Sequence, residues 1–277
     1  MPTTINNIQL PNGVNLQPSY YNAGNVNFAW DLMKTYPAIK TVRIEIEPNS
    51  VIPATTWIAE AQGNGYHVIA TYHKSNTLGT NDPQELILAA QWWIDNYQTL
   101  GGNFIINLMN EWGAHNLNPT DYANAYNPAI ELLRTEYGGD IIIDLPGWGQ
   151  DAGVAADAIA MITDPKIALS AHIYKDSWNG SATFSRQDIR RMLQTGKPCI
   201  VGEFGPIENQ PGTGNCDWAD CVKYAKSKGM TVLGWCWNGD GQDHNMVSPN
   251  WLEDPIPADP QINAAYFNQI YSKLVGI

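Results

Sequence analysis

Apolar, β-branched segments recur along the chain at intervals that suit one strand, one helix and two short loops. They begin near residues 10, 40, 67, 104, 140, 167, 198 and 230, which gives spacings of 30, 27, 37, 36, 27, 31 and 32 residues. A strand with its crossover helix takes up about 30 residues. The pattern therefore predicts eight strand and helix units in succession.

The predicted strands have the character of a parallel sheet covered by helices. Residues 104–109 and 141–143 are near-continuous apolar runs, which are typical of strands buried on both faces. Eight such units favour a closed barrel. The alternative is an open doubly wound sheet, but no Gly-x-Gly-x-x-Gly motif follows the first strand. We therefore expect an α/β fold, a (β/α)8 TIM barrel that forms a single domain over residues 1–277.

Helix boundaries are indicated by proline and acidic residues. Asp82 precedes Pro83, and Glu85 follows three residues after Asp82, which predicts a capped helix start. The pair at residues 259–260 repeats this Asp-Pro signal and predicts the start of the last helix. Pro128 predicts a kink or a division into two helices after residue 120, because proline cannot donate its backbone hydrogen bond.

Polar and aromatic residues gather at the ends of the predicted strands. In a (β/α)8 barrel the carboxyl ends of all strands meet at one face, and the chemistry lies there. The residues at these positions are Asn15, Arg43, His73, Asn110, Glu111, Trp148, His172, Tyr174, Glu203 and Trp235. Their number predicts one functional site on that face.

Glu111 and Glu203 each end an apolar strand and belong to predicted strands four and seven. Two facing carboxylates are what retaining glycoside hydrolysis requires: one attacks the anomeric carbon and the other donates a proton to the leaving oxygen. The same second group later takes a proton from water. Taken singly, either glutamate also suits a solvated charge or a structural ion pair.

The neighbouring residues suggest how such a pair would be supported. Arg43 on strand two is placed to stabilise an ionised carboxylate and lower its pKa, although it also suits neutralisation of Glu45 inside the barrel. Tyr174 would add a hydroxyl hydrogen bond to the same carboxylate. Asn110 would contact a sugar hydroxyl, and Trp235 would provide a flat face for sugar C–H groups.

The remaining aromatic and histidine positions leave alternatives open. Trp148 suits either a substrate contact or an ordinary aromatic at the rim or core. His73 and His172 are interpreted as hydrogen-bonded residues lining the site, since no His-x-His or His-Glu-x-x-His spacing supports zinc. We expect neither a metal nor another cofactor.

Composition and charge narrow the class of ligand. Charged residues make up 15% of the chain, below the roughly 25% of an average soluble domain. The chain contains 11 Trp, 13 Tyr and 5 Phe, a composition suited to neutral polar ligands such as sugars. The net charge of −12 argues against nucleic acid and anionic membrane surfaces. No segment approaches the roughly 20 apolar residues that span a bilayer, so no membrane association is expected.

The cysteines and the amino terminus bear on the cellular compartment. Cys216 and Cys221 lie five positions apart in a Gly- and Asp-rich segment and suit either a small disulfide or two free thiols. Cys199 and Cys236 lie in strand-like segments and suit buried apolar positions. The first residues lack the basic and apolar regions of a secretory signal.

Four of these segments together resemble glycoside hydrolase family 5 of clan A. They are Asn110-Glu111 after strand four, residues 171–174 (Ala-His-Ile-Tyr) on strand six, residues 200–205 (Ile-Val-Gly-Glu-Phe-Gly) on strand seven, and Gly234-Trp235 on strand eight. Arg43 and His73 match further family positions, and the resemblance runs from about residue 11 to 240.

The resemblance implies residue roles in a double displacement. It assigns Glu203 as nucleophile and Glu111 as acid/base, and it implies a surrounding set of Arg43, His73, Asn110, His172, Tyr174 and Trp235. Residues 146–151 (Pro-Gly-Trp-Gly-Gln-Asp), which contain Trp148, are most similar to endo-β-1,4-mannanases. Trp112 departs from the proline that many members carry after the acid/base, which predicts altered leaving-group subsites.

These features predict a retaining endo-β-1,4-mannanase that cleaves mannan, glucomannan or galactomannan. An endo-β-1,4-glucanase of the same fold is the alternative, since glucose and mannose differ only in the orientation of the 2-hydroxyl. A non-catalytic carbohydrate-binding barrel and a metal-dependent hydrolase are further alternatives. We expect a polysaccharide as the partner, a monomer, and secretion, because a polysaccharide cannot enter a cell intact.

Overall fold

Eight parallel strands close into a barrel in the computed structural model, which describes residues 3–208 and 214–275. In chain order the strands are β1 (Gly13–Leu16), β2 (Thr41–Ile46), β3 (His67–Tyr72), β4 (Ile105–Asn107), β5 (Ile141–Asp144), β6 (Ile167–Ile173), β7 (Cys199–Phe204) and β8 (Thr231–Asn238). Each strand pairs with the next, and β8 pairs back with β1. The predicted (β/α)8 barrel is confirmed.

Each strand is followed by an α-helix on the outside of the barrel. The helices are α1 (Trp30–Lys34), α2 (Val51–Gly63), α3 (Pro83–Asn96), α4 (Pro119–Leu133), α5 (Ala152–Ala158), α6 (Arg186–Gln194), α7 (Trp218–Ser227) and α8 (Ala264–Val275). Their apolar faces and the outward faces of the strands form the main hydrophobic core. Within the described residues, no helix combines the length and apolar character needed to cross a membrane.

Seven strands begin within one residue of the predicted positions, and the first begins at Gly13 instead of near residue 10. The difference arises because Leu10 does not belong to β1. It directly follows a short hairpin, formed by Thr4–Ile5 and Ile8–Gln9, that covers the amino-terminal end of the barrel. Ile5 and Leu10 complete an apolar layer inside the barrel with one residue from each of six strands. Those six are Ile69, Ile105, Ile142, Ala168, Ile200 and Leu233.

One helix-start prediction is confirmed and one is wrong, and the division into two helices that was one of the two outcomes predicted at Pro128 does not occur. The Asp82 side chain accepts a hydrogen bond from the Gln84 amide at the start of α3, as expected. The last helix begins at Ala264 and not at the earlier Asp-Pro pair, because residues 261–262 pair instead with residues 247–248. Helix α4 runs through Pro128 as one helix, and the ring is on its exposed side, where water can satisfy the carbonyl left without a donor.

All four cysteines lie in the described ranges, and each is a free, buried thiol. Cys216 and Cys221 are hydrogen-bonded to each other and do not form a disulfide in this structure. Cys199 and Cys236 lie in the buried strands β7 and β8, as predicted.

A buried polar layer lies above the apolar layer, toward the carboxyl ends of the strands. Its fully buried members come from six strands and include Asn15, Arg43, Thr71, Asn107, Asp144 and Ser170. Buried polar groups are stable only when they are hydrogen-bonded. Most of this layer forms a connected network, and that network supports the candidate site above it.

Candidate active site

Glu203 lies near the carboxyl end of β7 with both carboxylate oxygens occupied. Arg43 Nη1 donates to its Oε1 at 2.8 Å, and the Tyr174 hydroxyl donates to its Oε2 at 2.5 Å. Tyr174 follows β6, the direct neighbour of β7, whereas Arg43 on β2 reaches Glu203 across the inside of the closed barrel. The sequence analysis expected both of these contacts, from Arg43 and from Tyr174, to the carboxylate that acts as nucleophile.

Arg43 holds more than this one group. It is fully buried, and the same Nη1 atom donates to Glu45 Oε1 at 2.8 Å, so the alternative pairing with Glu45 occurs as well. The remaining hydrogen bonds of the guanidinium go to three asparagine side chains, those of Asn15, Asn107 and Asn110. A planar guanidinium satisfies several acceptors in fixed directions, which a lysine cannot do.

The electrostatic setting of Glu203 differs from the expected one. Burial raises the pKa of Glu203 to about 7, even though His172 and Arg43 both act to lower it. Arg43 therefore acts to lower this pKa, as predicted, but the net shift is upward. Removal of the carboxylate from water outweighs the two cations, and Glu111 and Glu45 add to the rise.

Glu111 follows β4 and approaches Glu203 from the opposite side of the cleft. The ligand atoms of Glu111, His172 and Glu203 all lie within 4.8 Å of one another. His172 Nδ1 is 2.8 Å from Glu111 Oε1 and 3.4 Å from Glu203 Oε1. The two carboxylates therefore converge as the sequence analysis expected, with an imidazole between them.

His172 is a buried cation at neutral pH. Burial acts to lower its pKa, but the carboxylates of Glu203, Asp144 and Glu111 raise the pKa to about 9. Its Nδ1–H is then a donor to Glu111. One imidazole and two carboxylates are also groups that can ligate a divalent cation, so the predicted absence of a metal stays a prediction.

Most of the predicted residues line or underlie one cleft of about 160 Å³ at the carboxyl ends of the strands. The lining residues are Gln17, Glu45, His73, Leu78, Asn110, Glu111, Tyr174, Glu203, Ile207, Trp235 and Asp240. Arg43 and His172 lie beneath them, fully buried. A groove of about 680 Å³ lies elsewhere, at the covered end of the barrel, and Glu136 is the one carboxylate in its described lining.

The cleft wall near β2 and β3 is a second charged cluster. His73 Nε2 is 3.4 Å from Glu45 Oε2, and Gln17 donates to the same oxygen at 2.7 Å. Burial would raise the pKa of Glu45, but His73 and Arg43 hold it below its ordinary value. The Tyr20 hydroxyl is 2.5 Å from His73 Nδ1, which fixes the ring from its other side.

Trp148 is the predicted site residue that does not line this cleft. It is half-buried beside His115, at 5.4 Å between ring centroids, and it covers Gly79 so closely that a Cβ there would lie 2.3 Å from the indole. The Gly79 amide in turn donates to the Glu111 carbonyl. A sugar contact by Trp148 stays a prediction.

Trp112, the departure from the family pattern, faces away from the cleft. Its ring is fully buried against Tyr126, and its Nε1 donates to the Asp82 carbonyl at 2.9 Å. Trp112 therefore makes no direct contact with the described cleft through which it could alter the leaving-group subsites.

Three polar residues of the site, Gln17, Asp144 and Asp240, were not identified from the sequence, and Glu45 was considered only as a partner of Arg43. Glu45 and Asp144 could have been identified, because Glu45 shares a strand face with Arg43 and Asp144 ends an apolar strand. Gln17 and Asp240 come from loops without a recognisable pattern. Asp240 accepts a hydrogen bond from Trp235 Nε1 at 2.8 Å and so fixes the indole in the cleft wall.

Comparison with known families identifies this arrangement. A sequence profile described as Cellulase (glycosyl hydrolase family 5) matches residues 6–241, which include both glutamates and all of the predicted contact residues. The chain belongs to glycosyl hydrolase family 5. The resemblance noted from the sequence is confirmed.

Two curated relatives of this family 5 chain have names that include mannan-degrading activity. Mannan endo-1,4-beta-mannosidase of Streptomyces lividans is 28% identical over 195 residues, which cover 66% of this chain and 49% of that protein. Beta-mannanase/endoglucanase A of Caldicellulosiruptor saccharolyticus is 30% identical over 164 residues, covering 56% of this chain and 12% of that protein. The chain therefore spans half or less of each relative.

Solved structures of the family share the fold. A β-mannanase from Streptomyces thermolilacinus superimposes with a TM-score of 0.72 at 22% identity, covering 95% of this chain and 90% of that one. The catalytic domain of Thermobifida fusca endoglucanase Cel5A gives 0.74 at 16% identity, covering 96% and 92%. Because enzymes named for both substrates share this barrel, the fold alone does not distinguish the two substrates.

Proposed function

We propose that the chain is a retaining endo-β-1,4-mannanase, with Glu203 as nucleophile and Glu111 as acid/base. The observation that carries the proposal is the convergence of these two carboxylates to within 4.8 Å in one cleft. Retaining glycosidases have their two carboxyl groups about 5 to 5.5 Å apart, whereas inverting enzymes need about 6.5 to 9.5 Å to accommodate a water.

In the first step, a Glu203 oxygen attacks the anomeric carbon and the glycosidic C–O bond breaks. Glu111, carrying a proton, donates it to the leaving oxygen. In the second step, water attacks the same carbon, Glu111 takes its proton, and the bond to Glu203 breaks. Arg43 and Tyr174 hold the Glu203 oxygens in place throughout, which limits the reorganisation that each step requires.

Charge development in this step explains the cations beneath the cleft. As Glu203 forms its covalent bond it loses negative charge, and Glu111 gains negative charge when it gives up its proton. His172, with Nδ1 close to both carboxylates, can stabilise the negative charge on Glu203 before the step and on Glu111 after it. The flat face of Trp235 and the amide of Asn110 supply contacts for the sugar ring.

Mannan is the substrate class that the sequence relatives support, because both of their names include it. An endo-β-1,4-glucanase is the second candidate, supported by the word endoglucanase in the name of the Caldicellulosiruptor relative. Rates on mannohexaose and cellohexaose under identical conditions separate the two. Higher kcat/KM on cellohexaose would overturn the mannanase assignment.

The nucleophile is tested by Glu203→Gln, which preserves shape and removes the attacking charge. Release of reducing ends from mannan should fall to background in this variant. Glu136→Gln, an identical change at the opposite end of the barrel, is the matched control and should retain wild-type activity. Undiminished activity of Glu203→Gln would overturn the assignment.

A metal-dependent hydrolase is tested separately by dialysis against a chelator. Unchanged activity is the expected result under the two-carboxylate mechanism. Activity that is lost on chelation and restored by a divalent cation would overturn it. We also propose that the protein is a secreted monomer, which light scattering of the native protein and fractionation of a culture medium test.

A further inference from the structure

Asp144 is a buried carboxylate at the end of β5 that lies beneath the acid/base. It is fully inaccessible to solvent, and its two oxygens have different partners. Asn107 Nδ2 donates to Oδ1 at 3.2 Å, and the backbone N–H of Glu111 donates to Oδ2 at 3.0 Å. The carboxylate therefore joins the interior polar layer directly to the residue that would carry the catalytic proton.

The backbone of Glu111 needs such support. Its φ angle is +49°, in the left-handed region that residues with a side chain rarely adopt. On one side its N–H is held by Asp144, and on the other its carbonyl accepts from the Gly79 amide at 2.8 Å. These two hydrogen bonds fix the turn that points the Glu111 carboxyl group back over the cleft.

Asp144 also lies close to the imidazole that contacts the side chain of Glu111, although His172 Nε2 has no hydrogen-bond partner among the described residues. His172 Nε2 is 3.5 Å from Asp144 Oδ2, and the opposite ring nitrogen is 2.8 Å from Glu111 Oε1. The same Asp144 oxygen thus faces both the backbone of Glu111 and the ring that contacts its carboxyl group. Arg43 Nη2, at 3.8 Å, is a second cation near this oxygen.

We propose that Asp144 is the positioning residue of the acid/base, holding Glu111 through its backbone N–H. This inference rests on the proposed function, since it assumes that Glu111 delivers the proton. An aspartate is required because two N–H donors converge on its two oxygens, and an asparagine offers only one acceptor atom. Any rotamer of asparagine sets its NH₂ group against one of the donors.

The test uses two substrates that differ in their need for a proton. Mannohexaose has a sugar leaving group that must be protonated, whereas 2,4-dinitrophenyl β-mannobioside has a leaving group that departs without a proton. In Asp144→Asn we expect kcat/KM on mannohexaose to fall by about 10- to 100-fold, because general acid catalysis is misaligned. On the aryl glycoside we expect kcat/KM to change by less than about threefold, because proton donation contributes little to that reaction.

Two further variants calibrate the result. Glu111→Ala removes the acid itself and should give the same selective loss, but larger. Ser170→Ala changes a fully buried residue of the same polar layer, whose hydroxyl has no partner among the described residues, and should leave both rates unchanged. Circular dichroism and thermal unfolding establish that each variant is folded.

The outcomes separate the positioning role from the proposed function. Equal losses on both substrates, or no loss on either, in a folded Asp144→Asn protein would overturn the positioning role. If Glu111→Ala itself shows no selective loss on mannohexaose, the assignment of the acid/base fails instead. Should Asp144→Asn not fold, Asp144→Ser avoids setting an amide NH₂ group against Asn107, and the same two-substrate ratio decides.

Discussion

Replacing Arg43 with lysine keeps a positive charge but removes the planar arrangement of donors. Arg43 donates to five side-chain acceptors, and all of them are buried. A lysine ammonium has three N–H groups, so at least two acceptors lose their donor. Each buried group left without a partner costs about 1 to 3 kcal/mol. Arg43→Lys should therefore lower the free energy of unfolding by about 2 to 6 kcal/mol, a large share of a typical domain's stability.

The same substitution should weaken the support of the nucleophile. A hydrogen bond to a charged group contributes about 1.5 to 3 kcal/mol, so losing the one to Glu203 Oε1 corresponds to a fall in kcat/KM of about 10- to 150-fold. Urea unfolding followed by tryptophan fluorescence gives the stability, and initial rates on mannohexaose give the activity. The slope of the urea dependence must stay constant for the comparison to hold.

Arg186→Lys is the matched control, because Arg186 forms an exposed pair with Asp220. Exposed ion pairs contribute little, so this variant should behave as wild type in both measurements. An Arg43→Lys protein as stable and as active as wild type would refute the idea that the arginine's fixed donor geometry organises the site. A loss of stability without a loss of activity would refute only the link to Glu203.

Four further predictions concern pH, the cleft wall and the thiols. Because the pKa of Glu203 is raised to about 7 and its ionised form attacks, kcat/KM on mannan should rise with pH up to about 7; a limb near pH 4.5 would contradict this. Because folding raises the pKa of His172 from 6.5 to about 9, its stabilising contribution is complete below pH 6.5. Urea unfolding should show that about 3 kcal/mol of this contribution to the free energy of unfolding is lost as the pH rises from 6.5 to about 9. A free energy of unfolding that stays constant between these pH values would contradict the pairing of His172 with the carboxylates. Asp240→Ala should raise KM for mannohexaose more than it lowers kcat, because the Trp235 indole loses its hydrogen bond; an unchanged KM would show that this bond is dispensable. Four thiols should react with a thiol reagent in denaturant without reductant, and only two would indicate a disulfide.

The expected site was recovered from the sequence to a large extent because strand ends in a parallel barrel converge. His73, Asn110, Glu111, Tyr174 and Glu203 lie at or just after the end of an apolar segment, whereas Arg43 and Trp235 lie inside one, and each of these positions is a local property of the chain. Once eight such segments close into a barrel, their carboxyl ends must lie together. Trp148 does not line the described cleft, because the loop after β5 places its indole against Gly79, and its sugar contact stays a prediction.

The amino-acid sequence by itself determined the number of strands, the starts of seven of them and the face on which polar residues gather, because the hydrophobic pattern acts over a few residues. Only the tertiary structure decided that the pKa of Glu203 is raised, that Asp144 holds the Glu111 backbone, and that Leu10 belongs to the layer covering the barrel end. The pKa of Glu203 depends on desolvation and on charges from three other strands and their loops, and a buried hydrogen bond depends on segments distant in sequence. Such quantities exist only after the chain has closed on itself.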